Sequence, residues 1–200
     1  MCQITPSEVA VTVDSRDKHK VQFITVKNRQ HLTGRKLRLE HRCIGIAFHQ
    51  DEMYITAGTA LYKYTLKGKL VSKVYEDKSE SFKVNRCVVS HRGDTLYITH
   101  SSQNQLLTLV KDGSALTFFT DPALQWPQCV HVTPGDQVLV CGYNFHTILQ
   151  VDCEGRRKLA TIASKEDGVV SPRSVCYNRN TDSILLGLGG NSSILEFKVQ

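Results

Sequence analysis

Short apolar stretches recur along the chain, alternating with polar residues and bounded by Gly, Asn, Asp or Ser. This pattern predicts half-buried β-strands, because successive strand side chains point to opposite faces. The segments opening at Cys2, Cys43, Cys87, Cys129 and Ser174 line up at steps of 41, 44, 42 and 45 residues. Each anchor begins a first strand, as in Cys43-Ile-Gly-Ile-Ala-Phe and Cys129-Val-His-Val. A second strand follows, as Val9-Ala-Val-Thr-Val, Met53-Tyr-Ile-Thr, Leu96-Tyr-Ile-Thr, Val138-Leu-Val-Cys and Ile184-Leu-Leu-Gly. The third reads Val21-Gln-Phe-Ile-Thr-Val, Leu61-Tyr-Lys-Tyr, Leu106-Leu-Thr-Leu, Ile148-Leu-Gln-Val and Ile194-Leu-Glu-Phe. A turn at Gly34, Gly68, Gly113 or Gly155 then leads to a fourth, such as Leu70-Val-Ser-Lys-Val.

Four short antiparallel strands per forty-odd residues make a propeller blade. The fold class expected is therefore all-β, a partial β-propeller of about five four-stranded blades. The blades cover repeats 1–40, 41–83, 84–125, 126–170 and 171–200 of a single 1–200 domain. A β-sandwich, the rival architecture, has no fixed internal period. In the alignment Gln200 falls opposite Glu154, so the last blade is expected to lack its fourth strand. Met1 already lies in a first strand, which predicts a further blade and a closing strand upstream, and an open arc without them.

Hydrophobic content of 40% suits a protein with a real core, and neither a signal-like leader nor a membrane-length apolar run occurs. A cytoplasmic location is expected. The seven cysteines are scattered without a C-x-x-C pair, so reduced structural thiols are expected rather than a disulfide framework or a zinc knuckle. Lys and Arg number 25 against 19 Asp and Glu, a net charge of +6 that fits a nucleic-acid partner or simple solubility.

The chain resembles the NHL-repeat propellers at the C-terminus of tripartite-motif (TRIM) proteins, especially those of invertebrates. The likeness rests on Trp126-Pro-Gln-Cys-Val-His-Val and Ser171-Pro-Arg-Ser-Val-Cys-Tyr, similar to the family's Pro-x-Gly-Ile-Ala-Val opening. It extends to Leu96-Tyr-Ile-Thr with Asn104 ahead of Leu106-Leu-Thr-Leu-Val, and to Gly155-Arg-Arg-Lys-Leu-Ala-Thr. Cys or Ser replaces the family glycine at each anchor, and His100 and Gly142 replace its strand-b aspartate. The resemblance implies a divergent piece of a six-bladed propeller that recognises a substrate or RNA. Ubiquitin-ligase activity would reside in a RING domain that this chain does not contain.

In a propeller the loops joining fourth to first and second to third strands share one face, the usual binding face. Residues assigned to it carry nine basic and nine acidic side chains, Glu80 and Lys83 among them. The third-to-fourth turns hold eleven basic and three acidic residues, including Arg35, Lys36, Lys67, Lys69 and Arg156. A neutral binding face disfavours generic phosphate binding, which needs several unopposed cations. Arg42, Arg86 and Arg173 each stand just before or at an anchor and predict a basic centre suited to a carboxylate or phosphate. His100, Asn104, Trp126, Tyr143, Phe145 and His146 sit in nearby loops and suit a hot spot or base stacking.

No catalytic motif is visible. Gly187-Leu-Gly-Gly-Asn lacks the Lys-Ser/Thr of a phosphate loop, and Asn191-Ser-Ser is a glycosylation acceptor that would be idle inside a cell. Neither a catalytic residue, a metal nor a cofactor is expected. The function expected is a non-catalytic platform for a protein or peptide partner, with single-stranded RNA as the alternative. Neither a membrane nor a small-molecule substrate is expected.

Overall fold

The computed structural model describes residues 1–28, 30–78, 84–190 and 192–198. Glu80, Lys83, Asn191 and Gln200, named above, lie outside the described residues. The first sheet comprises β1 (Cys2–Thr5), β2 (Glu8–Ser15), β3 (Lys18–Lys27) and β4 (Gln30–Leu39), in chain order. The second is β5 (Gly45–His49), β6 (Glu52–Thr56), β7 (Ala60–Thr65) and β8 (Leu70–Glu76). The third is β9 (Val84–Val89), β10 (Thr95–His100), β11 (Gln105–Val110) and β12 (Ala115–Thr120). The fourth is β13 (Pro127–Val132), β14 (Val138–Gly142), β15 (Thr147–Val151) and β16 (Lys158–Ala163). The fifth has three strands among the described residues, β17 (Pro172–Asn178), β18 (Ser183–Leu188) and β19 (Ile194–Lys198). Five antiparallel meanders, one per repeat and the last with three strands among the described residues, are the blades of a β-propeller.

The chain divides into two compact units, Met1–Cys87 and Val88–Gln200, with the junction inside β9. In the first unit, alternation decides which face is buried. Register pairs Ala10 with Phe23 and Thr12 with Val21, so Ala10, Val21 and Phe23 are fully buried against Ile46, Met53, Ile55 and Tyr64 of the second sheet. Val21, Phe23, Ile46, Met53 and Ile55 each contribute up to about 1.5–3 kcal/mol on burial. In the second unit, Tyr97 and Leu106 pack with Val138, Val140, Leu149 and Val151. Leu139, Cys141 and Ile148, on the other face of the fourth sheet, pack with Val175, Ile184 and Leu186 of the fifth.

The turn joining third and fourth strands of one sheet docks onto the outer strands of the sheet before it. In the first unit Gly68 (φ +88°) sits against Leu37, and Arg35, stacked 3.8 Å over the Phe23 ring, donates to the Leu66 carbonyl at 2.7 Å. In the second, Thr117 Oγ1 donates to the Gly155 carbonyl at 2.7 Å and the Tyr97 hydroxyl to the Cys153 carbonyl at 2.5 Å. Part of the basic charge on these turns is thus spent on packing.

The expectation of reduced thiols throughout is corrected. Cys129 and Cys141 face each other across β13 and β14 and form a disulfide, with Cα atoms 5.2 Å apart. The sequence places them twelve residues apart, but only the hairpin register puts them opposite. Cys2, Cys43, Cys87, Cys153 and Cys176 are free. Burial pushes the Cys2 thiol up to about 11 and that of Cys87 up to about 12, which makes both poor nucleophiles.

Gly155 has φ +66°, and a Cβ there would collide with buried Thr108 Oγ1. Gly155→Ala is expected to cost about 2–3 kcal/mol through backbone strain and the lost close approach. The check is the urea midpoint, and an unchanged midpoint would contradict the docking.

Candidate functional site

At each seam between consecutive sheets within a unit, a side chain near the second or third strand bonds the backbone that enters the next sheet. In the first unit the Asp14 carboxylate accepts from the Cys43 amide at 3.1 Å and from Arg42 at 2.9 Å through Nε and Nη2. It also bonds His19 Nδ1 at 2.6 Å. Burial alone would raise its pKa, but the Cys43 amide, Arg42 and His19 outweigh that and hold it below the usual carboxylate value. At the next seam Thr56 Oγ1 donates to the Asn85 carbonyl at 2.5 Å, and Arg86 donates to the Ile44 carbonyl.

In the second unit the latches hold unusual backbone. Trp126 and Ser171 both precede a proline and both have positive φ, +53° and +47°. A pre-proline residue ordinarily takes an extended conformation, so such geometry stores roughly 1–3 kcal/mol of strain unless neighbours hold it. Asn104, itself left-handed after the 3-10 turn Ser101–Gln103, accepts the Trp126 amide on Oδ1 at 2.8 Å. His146 Nδ1 accepts the Ser171 amide at 2.9 Å, which leaves its ring proton on Nε2. On their other sides the Trp126 carbonyl accepts the Tyr143 amide at 3.4 Å and the Ser171 carbonyl the Gly189 amide at 2.8 Å.

Hydrogen bonds and a ring contact link Asn104, Trp126, Tyr143 and Arg173 in the second unit, His146 is bonded to Ser171, and Phe145 lies exposed between Tyr143 and His146 in the chain. Trp126 is 43% and Phe145 56% exposed. The Arg173 guanidinium lies 5.3 Å from the Tyr143 ring centroid and donates to its hydroxyl at 3.4 Å. Hydrogen bonds from Arg173 and Ser171 lower the Tyr143 pKa. Three expected site residues are placed otherwise. His100 ends β10 at 1% exposure, 6.4 Å from the Phe118 ring centroid, in a strand buried on both faces from Leu96 onward. Arg42 and Arg86 belong to the first unit and are engaged by Asp14 and the Ile44 carbonyl. Sequence reasoning passed over Asp14, Ser171 and Gly189. The paired Trp126-Pro and Ser171-Pro dipeptides were the signal for the strained positions.

Among the described residues no group of three or more His, Cys, Asp or Glu side chains is placed to hold a metal. No helix is long and apolar enough to cross a membrane among those residues.

No family model and no curated protein matches the sequence. Solved structures do. A chain of a nidogen/laminin complex is 14% identical with a TM-score of 0.79, covering 96% of this chain and 74% of that one. The Dos1 propeller is 10% identical with a TM-score of 0.63, covering 92% of this chain and 49% of that one. Virginiamycin B lyase from Staphylococcus aureus is 16% identical with a TM-score of 0.62, covering 99% and 72% respectively. At these identities the likeness establishes the fold, a β-propeller.

In β13, burial first and the neighbouring His91 and Arg179 next pull the His131 pKa down to about 4. A base with its folded pKa below its unfolded value of about 6.5 binds fewer protons when folded, so stability is full above that pH and declines toward pH 4. Asp14, depressed rather than raised, adds a loss only as pH falls further, through its folded pKa. His131→Gln is expected to shrink the difference between urea midpoints at pH 7 and pH 5. An equal difference in both proteins would contradict a neutral His131.

Proposed function

We propose that this chain is a non-catalytic recognition propeller of the NHL type, the substrate-binding part of a tripartite-motif ligase or scaffold, and that it binds a peptide segment bearing an acidic group. The observation that carries this reading is the surface of the second unit. There, exposed Trp126 and Phe145 accompany an arginine braced by Tyr143. Large aromatic side chains and arginine dominate binding hot spots, and a braced guanidinium is oriented for a carboxylate at little entropic cost. The nidogen/laminin match supports it, since a propeller of this fold occurs there within a protein–protein complex. Of the three arginines, Arg42 and Arg86 serve the seams, so ligand recognition falls to Arg173. The tripartite-motif reading implies the cytoplasm, where a disulfide is unusual, so the Cys129–Cys141 bond calls for a redox role or another compartment.

Panning phage-displayed random peptides on the purified protein is expected to enrich sequences sharing an acidic residue. Trp126 is the single tryptophan, so its fluorescence reports binding directly. Arg173→Ala should weaken the enriched peptide roughly tenfold to a hundredfold, the loss of one charge-assisted pair. Arg42→Ala should act on stability instead. Binding of oligouridine RNA with a steep salt dependence, with no peptide enriched, would overturn this reading in favour of RNA.

A further inference from the structure

The disulfide lies at the base of the proposed recognition surface, where the hydrogen-bond ladder between β13 and β14 is weakest. Pro127 has no amide hydrogen to give, and the register shifts between Pro127 and Cys129. Beyond that bulge the Tyr143 amide reaches the Trp126 carbonyl at 3.4 Å, the Asn144 amide the Gln125 carbonyl at 3.1 Å and Thr147 Oγ1 the Ala123 carbonyl at 2.7 Å. Opposite them Gly142 is pressed against the Ala123 carbonyl and Thr147 Oγ1, and a Cβ there would lie 2.5 and 2.6 Å from those atoms. The covalent bond thus sits three residues after Trp126 and two before Tyr143, spanning the gap in the ladder.

We infer that the Cys129–Cys141 disulfide is a redox-controlled lock on the loops carrying Trp126, Tyr143 and Phe145. This rests, for its functional meaning, on the recognition reading above. Oxidised, the lock holds the strained Trp126 backbone and the Tyr143–Arg173 pair in one arrangement, and a partner binds without ordering them. A dithiol reductant opens it by two exchanges. Its first thiolate attacks one cysteine sulfur and releases the other as thiolate, and its second thiol displaces the mixed disulfide. Two electrons and two protons pass to the protein, and the reductant leaves as a cyclic disulfide. Both sulfurs are buried, Cys129 at 6% and Cys141 at 0% exposure, so the exchange waits for the loop mouth to open. The free thiols that remain no longer tie the two strands, and the two longest contacts of the mouth lose their covalent brace.

The experiment compares untreated and dithiothreitol-reduced protein. Alkylation and mass measurement should show two more modified cysteines after reduction. Hydrogen exchange at the Tyr143 and Asn144 amides should quicken tenfold or more, with Val140 and Leu149 unchanged, and the enriched peptide should bind about tenfold more weakly. Cys141→Ala should reproduce the reduced behaviour without reductant; if that variant does not fold, the comparison on the unaltered chain decides alone. Unchanged exchange at Tyr143 and Asn144, or all seven cysteines alkylating before reduction, overturns the lock. Faster exchange with no peptide bound in either state upholds the lock and sinks the recognition reading.

Discussion

The seam latch is the constraint on which the rest of this structure depends. A blade is a short meander whose backbone is satisfied internally except where the chain passes to the next sheet. That passage is irregular, so its amides and carbonyls must find side chains. Asp14, Thr56, Asn104 and His146 supply them, at successive seams within the units. The chemistry differs at every seam while the geometry recurs. This is why repeats whose anchors are Cys in four cases and Ser in the fifth still build similar sheets.

The latch also explains which parts were legible in the sequence. Strands were legible because alternation and the period near forty-three residues are local signals. The buried face of the first sheet follows from Ala10, Val21 and Phe23 by counting in twos. Partners across a seam were not legible. Arg42 reads as an unopposed cation until Asp14, 28 residues earlier, proves to be its fork. His100 looks like a loop residue because nothing local shows that β10 is buried on both faces up to its end. The disulfide needed the same register, fixed by the turn between β13 and β14.

The cations that looked available are divided between structural and exposed roles by what lies beneath them. Arg35 covers the Phe23 ring and caps the Leu66 carbonyl; Arg86 reaches the Ile44 carbonyl; Lys158 lies 3.6 Å from Asp121. A guanidinium bonded to a backbone carbonyl keeps its charge but is fixed in place, so counting charges per face overstated the cations free to reach a polyanion. Arg173 differs because its brace is the ring and hydroxyl of Tyr143 rather than a carboxylate or a backbone carbonyl.

Strain and its compensation converge on the seam between the third and fourth sheets. Trp126 is left-handed before a proline, β13 begins with a bulge, and Gly142 leaves no room for a side chain. Each feature weakens regular pairing, and the Asn104 latch and the disulfide oppose that weakening from either side. At the following seam Ser171 repeats the strained backbone with a His146 latch but sits on no disulfide. A fold needing only rigidity could have regular strands at both. Strain kept at an exposed tryptophan, and covalently braced at that seam, is the feature on which the proposed recognition surface rests.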